Sequence, residues 1–367
     1  MSIVIFVVIL AVLILVHEFG HFLAAKLFGI RVDEFGIGYP PRAATLFKFR
    51  GTEFTLNWIP FGGFVKILGE NGEVTDVDGK PLPEVEAAKS FTRKPRYAQA
   101  LVLVAGVGFN LIFAWLLISL GFMIGLPTST SAVPAGQEIS DPQLVISLVS
   151  PESPAEKSGL KSGDVITAVA GFSGELTPDS VSNYIGSHGE DTIAISYKRG
   201  DEAGVASAEP VEGIIQGRKA IGISMDTIGT LTLSFFPALW EGARTTVSLV
   251  YATAVGLGSF IVNIFTGDAD FSQVTGPVGI VGLVGDASRL GIIYLLSFTA
   301  FISINLAVIN VIPFPALDGG RLLFVIIEAI KRSPMSPKVT GIVNFVGFAL
   351  LILLMVFVTV HDVVRLF

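Results

Sequence analysis

The sequence predicts a multispanning α-helical membrane protein of four spans, with a membrane-associated β-hairpin region and one inserted soluble domain. Three observations lead there. Of the 367 residues, 51% are apolar and only 15% are charged, with a mean hydropathy of +0.71, far from the balance of a water-soluble domain. The apolar residues gather in runs of roughly twenty, the length that crosses the hydrocarbon layer as a helix. The net charge of −7 is unevenly distributed: Lys and Arg crowd residues 26–96, whereas about 130–228 is rich in Asp and Glu. Cytoplasmic loops collect Lys and Arg, so the first stretch belongs to the cytoplasm and the second to the opposite side. The basic residues flank spans, and nothing points to nucleic acid. The chain has no cysteine, which excludes disulfides and thiolate-ligated metals.

The first span covers about 2–25 and runs from outside to inside. Residues 31–66 are neither helical in pattern nor freely soluble: Phe35-Gly36-Ile37-Gly38-Tyr39-Pro40-Pro41, the alternating run Thr52–Trp58, then Pro60-Phe61-Gly62-Gly63-Phe64-Val65-Lys66. Gly and Pro around period-two apolar runs read as β-hairpins, forming either a cytoplasmic subdomain or a sheet that dips into the membrane beside the first span. Residues 67–97 make a cytoplasmic loop, polar and mobile over 70–90. A second span at about 98–126 carries Ala105-Gly106-Val107-Gly108-Phe109-Asn110. Its small residues allow close helix packing, and Asn110 is a candidate for the active site.

Residues 128–228 are soluble in composition and long enough for one domain. Ser153-Pro154-Ala155 opens a short helix, Gly159-Leu160 and Gly163-Asp164 form a turn, and an alternating strand follows. That pattern resembles the PDZ family, which implies a fold able to take an extended peptide as an added strand; a spacer without a ligand is the alternative. Residues 229–289 read as an outer-face interfacial helix, centred on Thr245–Phe265, followed by a loop. The last two spans lie at about 290–311 and 340–360, separated by the cytoplasmic Lys331, Arg332 and Lys338.

The chemistry sits in the spans. His17, Glu18 and His21 are the only ionisable side chains between Ser2 and Ala25, and an ionisable group at that depth costs at least ~3 kcal/mol unless function retains it. His17 and His21, four residues apart, share a helix face, and Glu18 lies one residue off it. This H-E-x-x-H arrangement offers two imidazoles to a zinc ion and a carboxylate to its water. A secretory signal peptide fits poorly: no Lys or Arg precedes the apolar run and no A-x-A site follows it. A third ligand is expected on another apolar segment, where Asn310-Val311-Ile312-Pro313-Phe314-Pro315-Ala316-Leu317-Asp318-Gly319 breaks a helix at Pro313 and Pro315. Asp318 as ligand leaves the metal its open fourth position; Asp318 as an ordinary helix cap is the alternative.

These motifs resemble the site-two protease family of intramembrane zinc metalloproteases, closest to its bacterial RseP and RasP group. The resemblance extends over essentially the whole chain. It rests on His17–His21, on the Asn310–Gly319 motif, and on the positions of the Pro60–Lys66 and PDZ segments. RseP carries two PDZ domains in tandem, and one is found here. The resemblance implies Zn2+ held by His17, His21 and Asp318, with Glu18 as the catalytic carboxylate. Topology agrees: with the first span entering from outside and the acidic domain outside, four spans bring Asp318 to the depth of the histidines and five do not. The resemblance further implies regulated proteolysis of single-span substrates such as an anti-sigma factor or signal-peptide remnant. Asn310, Pro313, Pro315 and Asn110 are expected to orient substrate, and an extended substrate could pair with the hairpin edge around Thr52–Trp58. The partners expected are those substrates, the lipid bilayer and a PDZ peptide. The expected location is a bacterial cytoplasmic membrane with both termini and the PDZ domain outside. A non-catalytic adaptor is the alternative, and Glu18 argues against it because a structural metal needs no general base.

Overall fold

The computed structural model describes residues 1–70, 82–133, 137–188, 192–200, 202–215, 218–268 and 274–364. They form two compact units, residues 1–120 with 239–367, and residues 121–238.

Helix α1 (Ser2–Leu27) leads into two long strands, β1 (Val32–Phe49) and β2 (Thr52–Ile67). Each bends midway, near Gly38 (φ +80°) and Gly62 (φ +96°), positions where a Cβ is costly. The pair therefore makes four strand segments: 34–37 lies centrally, paired with 53–56 on one side and 63–66 on the other, and 45–49 pairs with 52–55. Arg50 and Gly51 both take positive φ, as a tight two-residue hairpin turn requires. The sheet stands along α1. At one end Lys26 Nζ donates to the Arg50 carbonyl at 3.2 Å; at the other a Cβ on Gly62 would lie 3.3 Å from Ile14. Phe22 of α1 meets Phe35 and Phe54 edge-on at 5.6 and 5.7 Å, an arrangement that adds to the area term. The sequence offers Thr52–Trp58 as an edge, and the register corrects this. Residues 53–56 are interior, and the edge beside α1 is 63–67. Hairpin chemistry is local and readable, whereas the fold-back that adds the outer segments depends on tertiary contacts.

Helix α2 (Glu84–Ala87) lies in the stretch read as mobile, of which 71–81 falls outside the described residues, and a 3-10 turn at Phe91–Arg93 follows just beyond it. Arg31 anchors this region, bonding Asp33 at 2.6 Å and Glu86 at 3.1 Å. Helix α3 (Arg96–Ile124) follows.

The second unit contains β3 (Leu126–Ser129), β4 (Ser140–Val149), α4 (Pro154–Lys157), β5 (Val165–Val169), α5 (Pro178–Ser187), β6 (Ile193–Arg199), β7 (Glu202–Ala208), β8 (Val211–Ile215), β9 (Arg218–Ala220) and β10 (Ile223–Leu231). Six strands form one sheet in the order β3-β10-β4-β5-β6-β7, and β8 pairs with β9. Ser153 caps α4, accepting from Glu156 N at 3.3 Å, and Pro154 occupies the first turn. Gly159 (φ +87°) and Gly163 (φ +92°) make the turns ahead of β5. Asp164, fully buried, is held by Arg199 through two bonds of 2.6 and 2.7 Å and accepts Lys161 N at 2.8 Å. Ile146, Leu160, Val181 and Ile195 are the centre of its core.

Helix α6 (Phe235–Thr266) is longer than the expected 245–265. A correction concerns the following segment, read as a loop: Pro277–Leu290 is a helix, α7. Gly279, Gly282 and Gly285 weaken its intrinsic propensity. Packing supplies what propensity lacks, since Ile280 and Val284 sit against Ile9 and Leu13 of α1, and Gly285 meets Ser2. Asp362 accepts the Gly276 and Gly279 amides at 3.0 and 2.8 Å, satisfying donors at the start of α7. Helices α8 (Ile292–Val311), α9 (Asp318–Lys331) and α10 (Pro337–Val364) complete the chain. Among the described residues, α1, α3, α6, α8 and α10 are long and apolar enough to cross a membrane.

Candidate metal centre and active site

The site forms where α1, α3 and α9 meet. Gly20 faces the Ala105–Gly106 backbone so closely that a Cβ on it would lie 2.8 Å from the Ala105 carbonyl carbon. A Cβ on Gly106 would lie 2.7 Å from His21 Cε1 and 2.9 Å from His17 Cε1. The glycines read from sequence as packing residues thus also make room for the imidazoles. Both rings are buried and stand edge to face at 4.8 Å and 82°. His21 Nδ1 donates to the Val102 carbonyl at 2.8 Å. That carbonyl can only accept, so the neutral ring turns an Nε2 lone pair toward the centre.

Asp318 arrives by a break in the chain. Pro313 disfavours helix at the residue before it, and Ile312 is extended (φ −58°, ψ 134°). Ala316 then takes φ +74°, with its amide on Asn344 Oδ1 at 3.3 Å, and α9 starts at Asp318. Gly319 and Gly320 press onto the backbones of Val311, Ile312 and Phe314, and Gly347 of α10 onto Pro315. These contacts leave no room for a Cβ. Two ion pairs hold α9 from its other faces, Arg321–Glu70 at 2.5 Å and Arg96–Glu328 at 2.6 Å.

The three candidate ligands converge. Asp318 Oδ2 lies 2.8 Å from His17 Nε2 and 3.3 Å from His21 Nε2, and the two Nε2 atoms are 3.2 Å apart. Ligand atoms 2.0–2.1 Å from a tetrahedral zinc stand roughly 3.3 Å from one another. Two imidazole nitrogens and a carboxylate oxygen at these spacings therefore fit zinc, with a fourth position left for chemistry. Glu18 is not among them: its Cγ would lie 3.9 Å from a Cβ on Gly63, and its carboxylate bonds the Val65 backbone. The edge strand 63–67 is in this way part of the site, a role the sequence did not reveal.

The remaining candidates separate. Asn110 is fully buried, with Nδ2 3.2 Å from His17 Nδ1, and its main-chain carbonyl accepts Ser303 Oγ from α8 at 2.8 Å. It touches a candidate ligand from behind. Asn310 is half-buried in the last turn of α8 with no hydrogen-bond partner for its amide among the described residues, and Pro313 is exposed. Pro315 packs under Gly347.

A buried His-His-Asp centre on apolar helices with an adjacent carboxylate defines a membrane metallopeptidase. The chain belongs to peptidase family M50, whose model matches residues 5–354. A Clostridium perfringens protein named as a candidate zinc metalloprotease is 35% identical over 96% of this chain and 95% of its own length. Zinc metalloprotease RasP of Geobacillus kaustophilus is 29% identical over 100% and 98%. The regulator of sigma-W protease RasP of Bacillus subtilis is 28% identical over 100% and 99%. The solved PDZ domain of an SdrC-like protein from Listeria monocytogenes is 28% identical, covering 24% of this chain and 92% of that one at a TM-score of 0.21. The protein is accordingly a multi-pass zinc metalloprotease of the site-two class.

Proposed function

We propose that this protease cuts single-span membrane substrates within or near the bilayer, in the manner of regulated intramembrane proteolysis, on anti-sigma factors or signal-peptide remnants. The observation that carries the reading is the convergence of His17 and His21, in the apolar helix α1, with Asp318, and with Glu18 alongside. Bound zinc supplies a Lewis acid for the scissile carbonyl and for water. Glu18 takes the proton of the attacking water and returns it to the leaving nitrogen. A helical substrate hides its carbonyls in i to i+4 bonds and must unwind. The edge strand 63–67 can hold the unwound segment by main-chain pairing, in place of Thr52–Trp58. Asn310 lies near the end of α8 with its amide free for substrate, and Pro313 and Pro315 each withhold a backbone donor there, so the chain leaves the helix while Ile309 and Ile312 carbonyls are met by Ile312 and Phe314 amides. In the soluble unit a groove of about 210 Å³ lies between Ser182 and Ile185 and the start of β10 at Gly222–Met225. Because β3 pairs only with Ile228–Leu231, the earlier part of β10 offers an edge to a peptide, the PDZ mode of binding. The membrane proteome tests the substrate class. Cells carrying Glu18→Gln are expected to accumulate single-span proteins that wild-type cells clear; unchanged proteomes count against it.

Four spans remain the favoured topology, with both termini and the PDZ unit outside. Helix α6 starts beside the later turns of α3, where Trp115 Nε1 donates to the Leu239 carbonyl at 2.8 Å. Helix α7 meets the N-terminal end of α1 where Gly285 faces Ser2, and the amide just ahead of α7, Gly276, bonds Asp362 in the last turn of α10 at 3.0 Å. Leu239 to Thr266 is roughly 40 Å of helix, whereas the eight residues from Asp268 to Gly276 reach at most about 28 Å. A full crossing by α6 would leave the chain too short to return, which supports an interfacial α6. Ser234→Cys and Ser272→Cys, in this cysteine-free chain, are expected to react with an impermeant thiol reagent from outside. Labelling of Ser272→Cys from the cytoplasm alone overturns the four-span reading.

A further inference from the structure

The carboxamide of Asn110 stands behind His17, on the side away from the metal ligands. Its Oδ1 is buried without a hydrogen-bond partner, while Nδ2 lies 3.2 Å from His17 Nδ1. Among the described residues, His17 Nδ1 is the single side-chain partner seen for the amide, so the protonation of that nitrogen decides which amide atom faces it. If Nε2 is the ligand atom, as its 2.8 Å approach to Asp318 and 3.2 Å approach to His21 Nε2 indicate, the proton of the neutral ring resides on Nδ1. A protonated Nδ1 needs an acceptor, and a half-turn of the Asn110 amide brings Oδ1 to it. His21 already has the equivalent partner, the Val102 carbonyl at 2.8 Å. We infer that Asn110 is a positioning residue for the metal centre: its Oδ1 accepts His17 Nδ1–H, holds the ring in the tautomer that presents Nε2, and so raises zinc affinity. Outer partners of this kind fix ring orientation and increase ligand basicity. The 2.8 Å bond from Ser303 to the Asn110 main chain anchors this turn of α3 to α8. The role differs from substrate orientation, because the amide is fully buried and faces a ligand's rear nitrogen.

The inference rests on the zinc reading of His17, His21 and Asp318, and one experiment separates the two. The full-length protein in detergent is stripped of metal and titrated with zinc against a fluorescent chelator. Asn110→Leu, close in volume but without an acceptor, is expected to weaken zinc binding 10–100-fold. Asn110→Asp keeps an acceptor oxygen and is expected to stay within about threefold of wild type. Saturating zinc is expected to restore most of the cleavage rate of Asn110→Leu. Wild-type zinc affinity in Asn110→Leu overturns the inference, as does a cleavage defect that saturating zinc leaves in place, which assigns the amide to substrate. If Asn110→Leu fails to fold, Asn110→Ala serves for the same comparison. A wild-type chain that binds no zinc in this titration overturns the reading of the centre itself.

Discussion

Glu18→Gln is expected to retain a full complement of zinc and to lose cleavage by at least a hundredfold, toward the ten-thousandfold end of what positioned proton transfer contributes. The substitution preserves shape and one hydrogen-bond acceptor, so the contacts of this side chain with Gly63 and the Val65 backbone are kept. It removes the ability to accept a proton from water and return it to the leaving nitrogen. Because the ligand atoms proposed for zinc belong to His17, His21 and Asp318, the metal is expected to stay. Zinc content by elemental analysis and cleavage of a model single-span protein by the purified variant give the two readings. Near wild-type cleavage removes Glu18 from the mechanism, and loss of zinc makes it a ligand instead.

Asp318→Ala is expected to empty the centre. Among the described residues, the Asp318 carboxylate is the one anionic group that pairs with both imidazoles, at 2.8 and 3.3 Å. Its loss is expected to weaken zinc binding beyond the 10–100-fold typical of losing an outer partner, and cleavage falls with it. Asp318→Asn keeps the first turn of α9 supplied with a polar side chain but offers a neutral, poorer ligand, so it is expected to fall between wild type and Ala. Full zinc occupancy in Asp318→Ala removes the residue from the site.

These expectations draw on two different sources. The sequence by itself determined the kind of chemistry, because ionisable residues are so costly in apolar spans that few other reasons keep His17, Glu18, His21 and Asp318 there. It also determined the long helices, whose apolar runs fit little but a bilayer or a core, and the turns before β5, where Ser153, Gly159 and Gly163 carry local backbone preferences. Close approach between distant segments was another matter. That Gly106 admits the imidazoles and that strand 63–67 reaches Glu18 depend on residues tens of positions apart, and Gly319 and Gly320 seat α9 on a backbone whose break only the fold shows. A glycine in sequence shows that a Cβ is missing without showing what fills its place. Helix α7 went unread for a related reason: its stability comes from Ile9 and Leu13, and its cap from Asp362, rather than from its own propensity. Asn110 stood out as one amide in an apolar helix, and only the packing of α3 on α1 decided that it faces the rear of His17, since a side chain's partner is set by the surface its helix meets.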